Sequence, residues 1–63
     1  MRIDPARLKA LLVERKMKQW ELAKKLDIHE TNLSKIMTGR LDPSRDLVRR
    51  MCRVLRVPLS SIM

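Results

Sequence analysis

The sequence predicts an all-α protein, a compact bundle of five short helices that forms one domain over residues 1–63. Leu, Ile, Val and Met recur at the i, i+3 and i+4 spacing of helices that have a single buried face. The three prolines and the one glycine fall between or at the starts of these segments, where helices begin and end. Because so small a core supplies only a few kcal/mol of net stability, the fold is expected to depend on close helix packing or on self-association.

The first helix is expected from about Pro5 to Lys16. Asp4 can cap its exposed N–H groups, and proline at the first helical position gives up a donor that has no partner there. Val13 falls outside the apolar stripe and is expected to be exposed. The side chains expected to face the core from this helix and its connection are Leu8, Leu11, Leu12 and Met17.

The second helix is expected from about Lys18 or Gln19 to Leu26. Lys18 lacks a side-chain acceptor for the first N–H groups, so the start of this helix is expected to fray. Trp20 lies off the buried stripe and is expected as a partly exposed ring lying on the first helix. The side chains expected to face the core are Leu22, Ala23 and Leu26.

A turn of three residues, Asp27–His29, is expected to lead into a third helix that Gly39 ends. Asp accepts the left-handed conformation of a tight turn better than most residues, and glycine accepts positive φ at little cost. At about 100° per residue, the third helix has two different arcs. The apolar arc carries Leu33, Ile36 and Met37. The polar arc carries Thr31, Ser34, Lys35 and Thr38, which are short donors and acceptors with one cation.

A fourth helix is expected from about Ser44 to Leu55, with either Asp42 or Ser44 as its cap. Its expected buried face consists of Leu47, Val48, Met51, Cys52 and Leu55. Roughly opposite this face lies an arginine stripe, defined as Arg45, Arg49, Arg53 and Arg56, and Arg50 extends the positive surface. The simpler interpretation of the stripe is a solvated face, and the alternative is a binding surface.

A last short helix is expected to begin after Val57 and to end at Met63. The apolar side chains of this end are expected to be exposed and to form a dimer patch. The residues assigned to dimerisation are Val57, Pro58, Leu59, Ile62 and Met63.

Several residues from the second helix to the start of the fourth have the spacing of a known DNA-binding motif. They are Gln19, Leu22, Ala23, Ile28, Leu33, Ile36, Gly39 and Pro43. In these residues the chain resembles the Cro and lambda-repressor type of helix-turn-helix, and the resemblance covers nearly its whole length. It implies a sequence-specific, double-stranded DNA-binding regulator of transcription, expected to be a repressor that binds a palindromic operator as a homodimer.

The resemblance also implies which residues bind DNA. In similar proteins the position of Gln19 contacts a phosphate. Lys35 can donate to guanine O6 and N7, and Glu30 can accept from cytosine N4. Direct DNA contact is the alternative role for Trp20. The full set expected to bind DNA is Gln19, His29, Glu30, Thr31, Asn32, Ser34, Lys35, Thr38 and Arg40.

At two positions the sequence departs from the pattern of the family it resembles. Members often carry an interior arginine where this chain has Leu12, paired with an acidic residue where it has Met37. Replacing both partners of a buried ion pair by apolar groups is often neutral or stabilising. We therefore predict that Leu12 and Met37 are in contact.

The charge balance agrees with a nucleic-acid partner. Fifteen Lys and Arg against seven Asp and Glu give a formal net charge of +8, and a basic surface attracts polyanions through counterion release. The alternative interpretation is an antitoxin-like or adaptor module in which the arginine stripe binds an acidic protein partner.

No enzymatic activity, cofactor or metal site is expected, because the sequence has no phosphate loop and no nucleophile with an acid/base pair. Cys52, the one cysteine, is expected to act as a small buried hydrophobe, and His29 has no other ligand nearby at metal-binding spacing. No apolar run approaches the ~20 residues of a membrane span. The cytoplasm is the expected location.

Overall fold

The structure, a computed structural model, describes residues 2–63 and is helical without strands over that range. The elements are α1 (Pro5–Glu14), α2 (Gln19–Leu26), α3 (Glu30–Met37), α4 (Arg45–Leu55) and a 3-10 turn (Leu59–Ser61). The all-α prediction is confirmed. The expected fifth helix is only this 3-10 turn, which ends before Met63.

Helix α1 begins as the sequence predicted. The Asp4 carboxylate accepts a hydrogen bond from the Ala6 N–H at 3.0 Å, and Pro5 is the first helical residue. The helix ends at Glu14, two residues before the predicted end, because Lys16 adopts a left-handed conformation with φ of 52°. The Met17 N–H then donates to the Leu12 carbonyl at 2.9 Å and turns the chain toward α2.

Helix α2 has a better start than its cap residue suggested. Lys18 makes no side-chain cap hydrogen bond, as its chemistry requires, since an ammonium has no acceptor. The Glu21 carboxylate, however, accepts from the Lys18 N–H at 3.3 Å. This contact is one half of a capping box, and it stabilises a start that was predicted to fray.

The turn between α2 and α3 is Asp27–His29, as predicted. Asp27 is left-handed, with φ of 56° and ψ of 46°. The Ile28 N–H donates to the Ala23 carbonyl at 3.1 Å, a bond that closes the end of α2 over the left-handed residue. Three residues are therefore enough to reverse the chain into α3.

Helix α4 begins at Arg45, and the structure decides between its two candidate caps. The Ser44 hydroxyl accepts a hydrogen bond from the Leu47 N–H at 3.2 Å, so Ser44 is the cap. The helix ends at Leu55, as predicted. Arg56 follows in a left-handed conformation with φ of 56°.

One apolar cluster joins the four α-helices and Ile62, the residue after the 3-10 turn. Helix α2 packs against both α3 and α4, and α1 packs against α3. The buried residues are Leu8, Leu12, Leu22, Ala23, Leu26, Leu33, Ile36, Val48, Met51, Leu55 and Ile62. No polar or charged side chain of the described range is buried with them.

Five side chains that were expected in the core are only half-buried at its margin. They are Leu11, Met17, Met37, Leu47 and Cys52. They lie at the edges of their helical stripes, and a domain of this size has no second layer to cover those edges. Partial burial nevertheless raises the pKa of the Cys52 thiol by desolvation, which favours the protonated form.

Leu12 and Met37 lie on the same side of the molecule. Both border a depression of about 310 Å³ between α1 and α3. Leu12 belongs to the core cluster, and Met37 packs against that cluster. The predicted contact between the two side chains themselves stays a prediction.

The exposure predicted for two side chains of the first two helices is confirmed. Val13 is 70% exposed and Trp20 is 52% exposed. The depression beside Trp20 is lined by Glu21, Lys24 and Lys25, all from α2 itself. The predicted packing of the ring on α1 stays a prediction.

The prediction that Ile62 is exposed is wrong. Its side chain is fully buried in the core cluster, whereas Leu59 is 37% exposed and Met63 is 52% exposed. The Ile62 carbonyl accepts a hydrogen bond from the Asp4 N–H at 2.7 Å, which ties the C-terminal segment to the start of α1. The segment turns inward at Ile62 and does not continue as a helix.

We expect Ile62→Val to lower the free energy of unfolding by about 0.5–1.5 kcal/mol, because it removes a methylene from a packed site. Met63→Ala is the matched control and should change stability by less than about 0.5 kcal/mol, since its side chain is half exposed. Urea unfolding followed by circular dichroism measures both. Equal effects of the two substitutions would contradict the burial of Ile62.

Candidate nucleic-acid interface

Helix α3 has a buried arc and an exposed arc. Leu33 and Ile36 are almost completely buried and hold the helix against the core. The side chains around the opposite arc are exposed, namely Glu30, Thr31, Ser34, Lys35 and Thr38. The polar arc predicted from the sequence is therefore the outer surface of the helix.

The exposed arc of α3 forms one surface with its neighbours on both sides. An open depression of about 490 Å³ is lined by Gln19, Glu30, Thr31, Ser34, Lys35, Thr38 and Arg40. We call these seven residues the recognition surface. They comprise seven of the nine residues assigned to DNA binding, contributed by the first residue of α2, by α3 with its C-cap Thr38, and by the loop after it.

The other two assigned residues lie apart from this surface. His29 and Asn32 border a separate depression of about 350 Å³, together with Asp27 and Ile28 of the turn. Asn32 lies about 100° further around α3 than Thr31, on the far edge of the exposed arc. His29 and Asn32 are therefore separated from the other seven residues, and their assignment to DNA binding stays a prediction.

The N-terminus of α3 has no side-chain cap. His29 is the cap residue, and its side chain makes no hydrogen bond to the first turn. The first N–H groups of the helix consequently lack a side-chain partner within the described residues. Glu30, in the first turn, places a negative charge beside the positive end of the helix dipole, which is a favourable interaction.

Thr38 has a structural contact that limits its chemistry. Its hydroxyl lies 3.1 Å from the Ser34 carbonyl and 3.2 Å from the Lys35 carbonyl, and it donates its one proton within this pair. A hydroxyl engaged in this way can accept a hydrogen bond but cannot also donate one to a phosphate oxygen. While this bond is made, the Thr38 hydroxyl is therefore not available for a hydrogen bond to a phosphate.

The chain leaves α3 through a left-handed glycine that directs Arg40 toward the recognition surface. Gly39 has φ of 78°, a conformation that glycine adopts without strain. The Arg40 N–H donates to the Lys35 carbonyl at 2.8 Å. This bond fixes the backbone of Arg40 directly beyond the helix, and its side chain borders the same depression as Lys35.

The sequence analysis missed Lys9 of α1. This lysine borders the depression between α1 and α3, which also includes Gln19, Ser34 and Thr38 of the recognition surface. A third cation, besides Lys35 and Arg40, therefore adjoins the surface from a helix distant in sequence. No local signal marks Lys9, because its position depends on how α1 packs against α3.

Residues 6–61 match the helix-turn-helix domain family. The match covers the four α-helices except Pro5, the first residue of α1, and it confirms the resemblance seen in the sequence. No curated protein is significantly similar to the chain. Among the helices in residues 2–63, none has the length and apolar character that crossing a membrane requires.

Proposed function

The chain belongs to the helix-turn-helix domain family, and on that premise we propose that it is a sequence-specific regulator of transcription that represses by occupying an operator. The observation that carries this proposal is the recognition surface. It joins the start of α2, the exposed arc of α3 and Arg40 in one open depression. Bound to an operator, the protein would exclude RNA polymerase or an activator.

The dimensions and chemistry of α3 support entry into the major groove. An α-helix with its side chains is about 10–12 Å in diameter, and the major groove is about 12 Å wide. Thr31 and Ser34 are short, so the helix can come close enough for side chains to reach base edges. Hydrogen bonds from main-chain N–H groups and from side-chain hydroxyls to the phosphates then fix the orientation of the helix on the duplex.

We assign base reading to Lys35, Glu30 and the two hydroxyl residues of the arc. Lys35 donates to guanine O6 and N7, and Glu30 accepts from cytosine N4. Thr31 and Ser34 contact a base edge or a thymine methyl group. Phosphates repel the Glu30 carboxylate, and a hydrogen bond from a cytosine amino group offsets this repulsion.

We assign the phosphate backbone to Gln19, Arg40 and Lys9, which lie on or beside the margins of the recognition surface. Contacts of this kind fix register and orientation without reading sequence. His29 and Asn32 contact the DNA only at the outer margin, since they border a different depression. Trp20 lies one residue from Gln19, so its fluorescence reports on binding without a label.

We expect affinity for duplex DNA to fall linearly on a plot of log K against log salt concentration, with a slope of about −0.9 for each phosphate neutralised. The cause is the release of condensed counterions by Lys and Arg. Titration of Trp20 fluorescence at several salt concentrations measures the slope. Selection of bound duplexes from a random pool tests sequence specificity in parallel. A flat salt response would contradict the proposal.

We expect Lys35→Ala to relax preference at one base position by about 1–3 kcal/mol. Arg40→Ala should instead weaken binding to all sequences by a similar factor, because a phosphate contact carries no sequence information. A panel of operator variants, each changed at one base pair, separates the two results. The same uniform loss from both substitutions would refute this division of roles.

We further propose that two copies bind a palindromic operator through the C-terminal segment. One α3 reads only a few base pairs, and a second copy about 34 Å away supplies the remaining selectivity. With Ile62 buried, the exposed apolar contact consists of Leu59 and Met63, beside Val57 and Pro58. This patch is small and follows directly after Arg56, so the free protein is expected to be largely monomeric until DNA aligns two copies.

We expect Leu59→Glu to abolish cooperative occupation of a palindromic site while leaving the helical circular dichroism signal largely intact. Ser60→Glu is the matched control, because it adds the same charge at the neighbouring exposed position without removing an apolar contact. Band-shift titrations on a full palindrome and on a single half-site measure cooperativity. If cooperativity survives Leu59→Glu, the dimer contact lies elsewhere.

A further inference from the structure

The arginine stripe is a straight row of exposed cations along α4. Arg45, Arg49 and Arg53 are spaced four residues apart, and Arg56 follows three residues later at the helix cap. At 1.5 Å per residue the row is about 16 Å long, and at about 100° per residue it keeps within an arc of roughly 80°. All four side chains are exposed.

The arginines of the stripe have no ion-pair partner among the described residues. Within residues 2–63 the ion pair present joins Arg7 and Asp4, far from α4 in sequence. Asp46 is the one acidic residue of α4, and it is not at ion-pairing distance from any arginine of the stripe. Like charges four residues apart on a helix repel each other. The row is therefore an unneutralised surface on which a ligand of opposite charge would relieve repulsion.

Arg50 shows what a structural arginine does on the same helix. Its guanidinium donates to the Leu26 carbonyl at the C-terminal end of α2, where a cation also complements the helix dipole. Arg50 lies about 100° around the helix from Arg49, outside the stripe. The four arginines of the stripe make no comparable contact with the described part of the chain.

The stripe also lies outside the recognition surface. That surface is lined by residues of α2 and α3 and by Arg40, and no residue of α4 borders it. DNA binding as proposed above therefore leaves the stripe unused. Half-buried Cys52 lies along one side of the stripe and half-buried Val57 follows its end, so the cations have an apolar margin.

We propose that the arginine stripe is the docking surface for an acidic α-helix of a partner protein. In a partner helix with carboxylates four residues apart, successive carboxylates are about 6 Å apart along the helix axis. Arg45, Arg49 and Arg53 have the same spacing along α4. Each guanidinium offers a planar fork of donors that binds a carboxylate through two hydrogen bonds. Arginines beside apolar groups are typical of protein interfaces, whereas a phosphate backbone gains nothing from the apolar margin.

The test uses a fluorescently labelled, alanine-rich helical peptide that carries Glu at every fourth position, and a control peptide with Gln at those positions. The stripe variant is Arg45→Gln, Arg49→Gln, Arg53→Gln and Arg56→Gln combined. The matched control variant is Arg2→Gln, Arg15→Gln, Lys24→Gln and Lys25→Gln combined, which removes the same number of positive charges from other exposed positions. Fluorescence anisotropy measures peptide binding, and a duplex selected from the random pool measures DNA binding.

We expect the wild-type protein to bind the Glu peptide and not the Gln peptide. The stripe variant should weaken binding of the Glu peptide by about tenfold or more, since several charge-assisted hydrogen bonds are lost together. The control variant should weaken it by no more than about threefold through the change in net charge. The stripe variant should keep its preference among operator variants, so a failure of the DNA-binding proposal would be visible separately.

Three results would overturn the inference. They are failure of the wild-type protein to bind the Glu peptide, equal losses in the two variants, and a larger loss of DNA affinity than of peptide affinity in the stripe variant. The last result would make the stripe a phosphate-binding surface. Circular dichroism checks folding, and Arg49→Gln with Arg53→Gln replaces the fourfold variant in the same comparison if that variant is unfolded.

Discussion

The structure depends on the burial of α2 between α3 and α4. Leu22, Ala23 and Leu26 are buried with at most 2% of their surface exposed, and the small side chain of Ala23 lets a neighbouring helix approach closely. Two features fix the C-terminal end of α2. Arg50 donates to the Leu26 carbonyl, and left-handed Asp27 reverses the chain into α3. Isolated helices of eight residues are unstable in water. The formation and the orientation of α3 therefore depend on its packing against α2.

The recognition surface is anchored to the core through the buried arc of α3. Leu33 and Ile36 anchor α3, and Gly39 with the Arg40 backbone bond fixes the chain that leaves it. The Thr38 hydroxyl is engaged in closing the helix end. A surface arranged in this way before binding loses little conformational entropy when it meets a ligand.

The net charge of +8 is distributed over surfaces with different relations to the fold. Lys35 and Arg40 border the recognition surface, and Lys9 adjoins it. The arginine stripe lies on another helix and is unpaired among the described residues. Overall charge therefore indicates attraction to polyanions in general, while the positions of individual cations decide which surface binds what.

The sequence by itself determined what depends on neighbours within one or two helical turns. Asp4 with Pro5, left-handed Asp27, the Ser44 cap as one of two candidates, and the two arcs of α3 all follow from such local rules. Tertiary structure alone decided the burial of Ile62 and the approach of Lys9 to the recognition surface. The physical reason is that each of these depends on which faces of different helices meet, and that is set by packing of the whole core rather than by spacing along the chain.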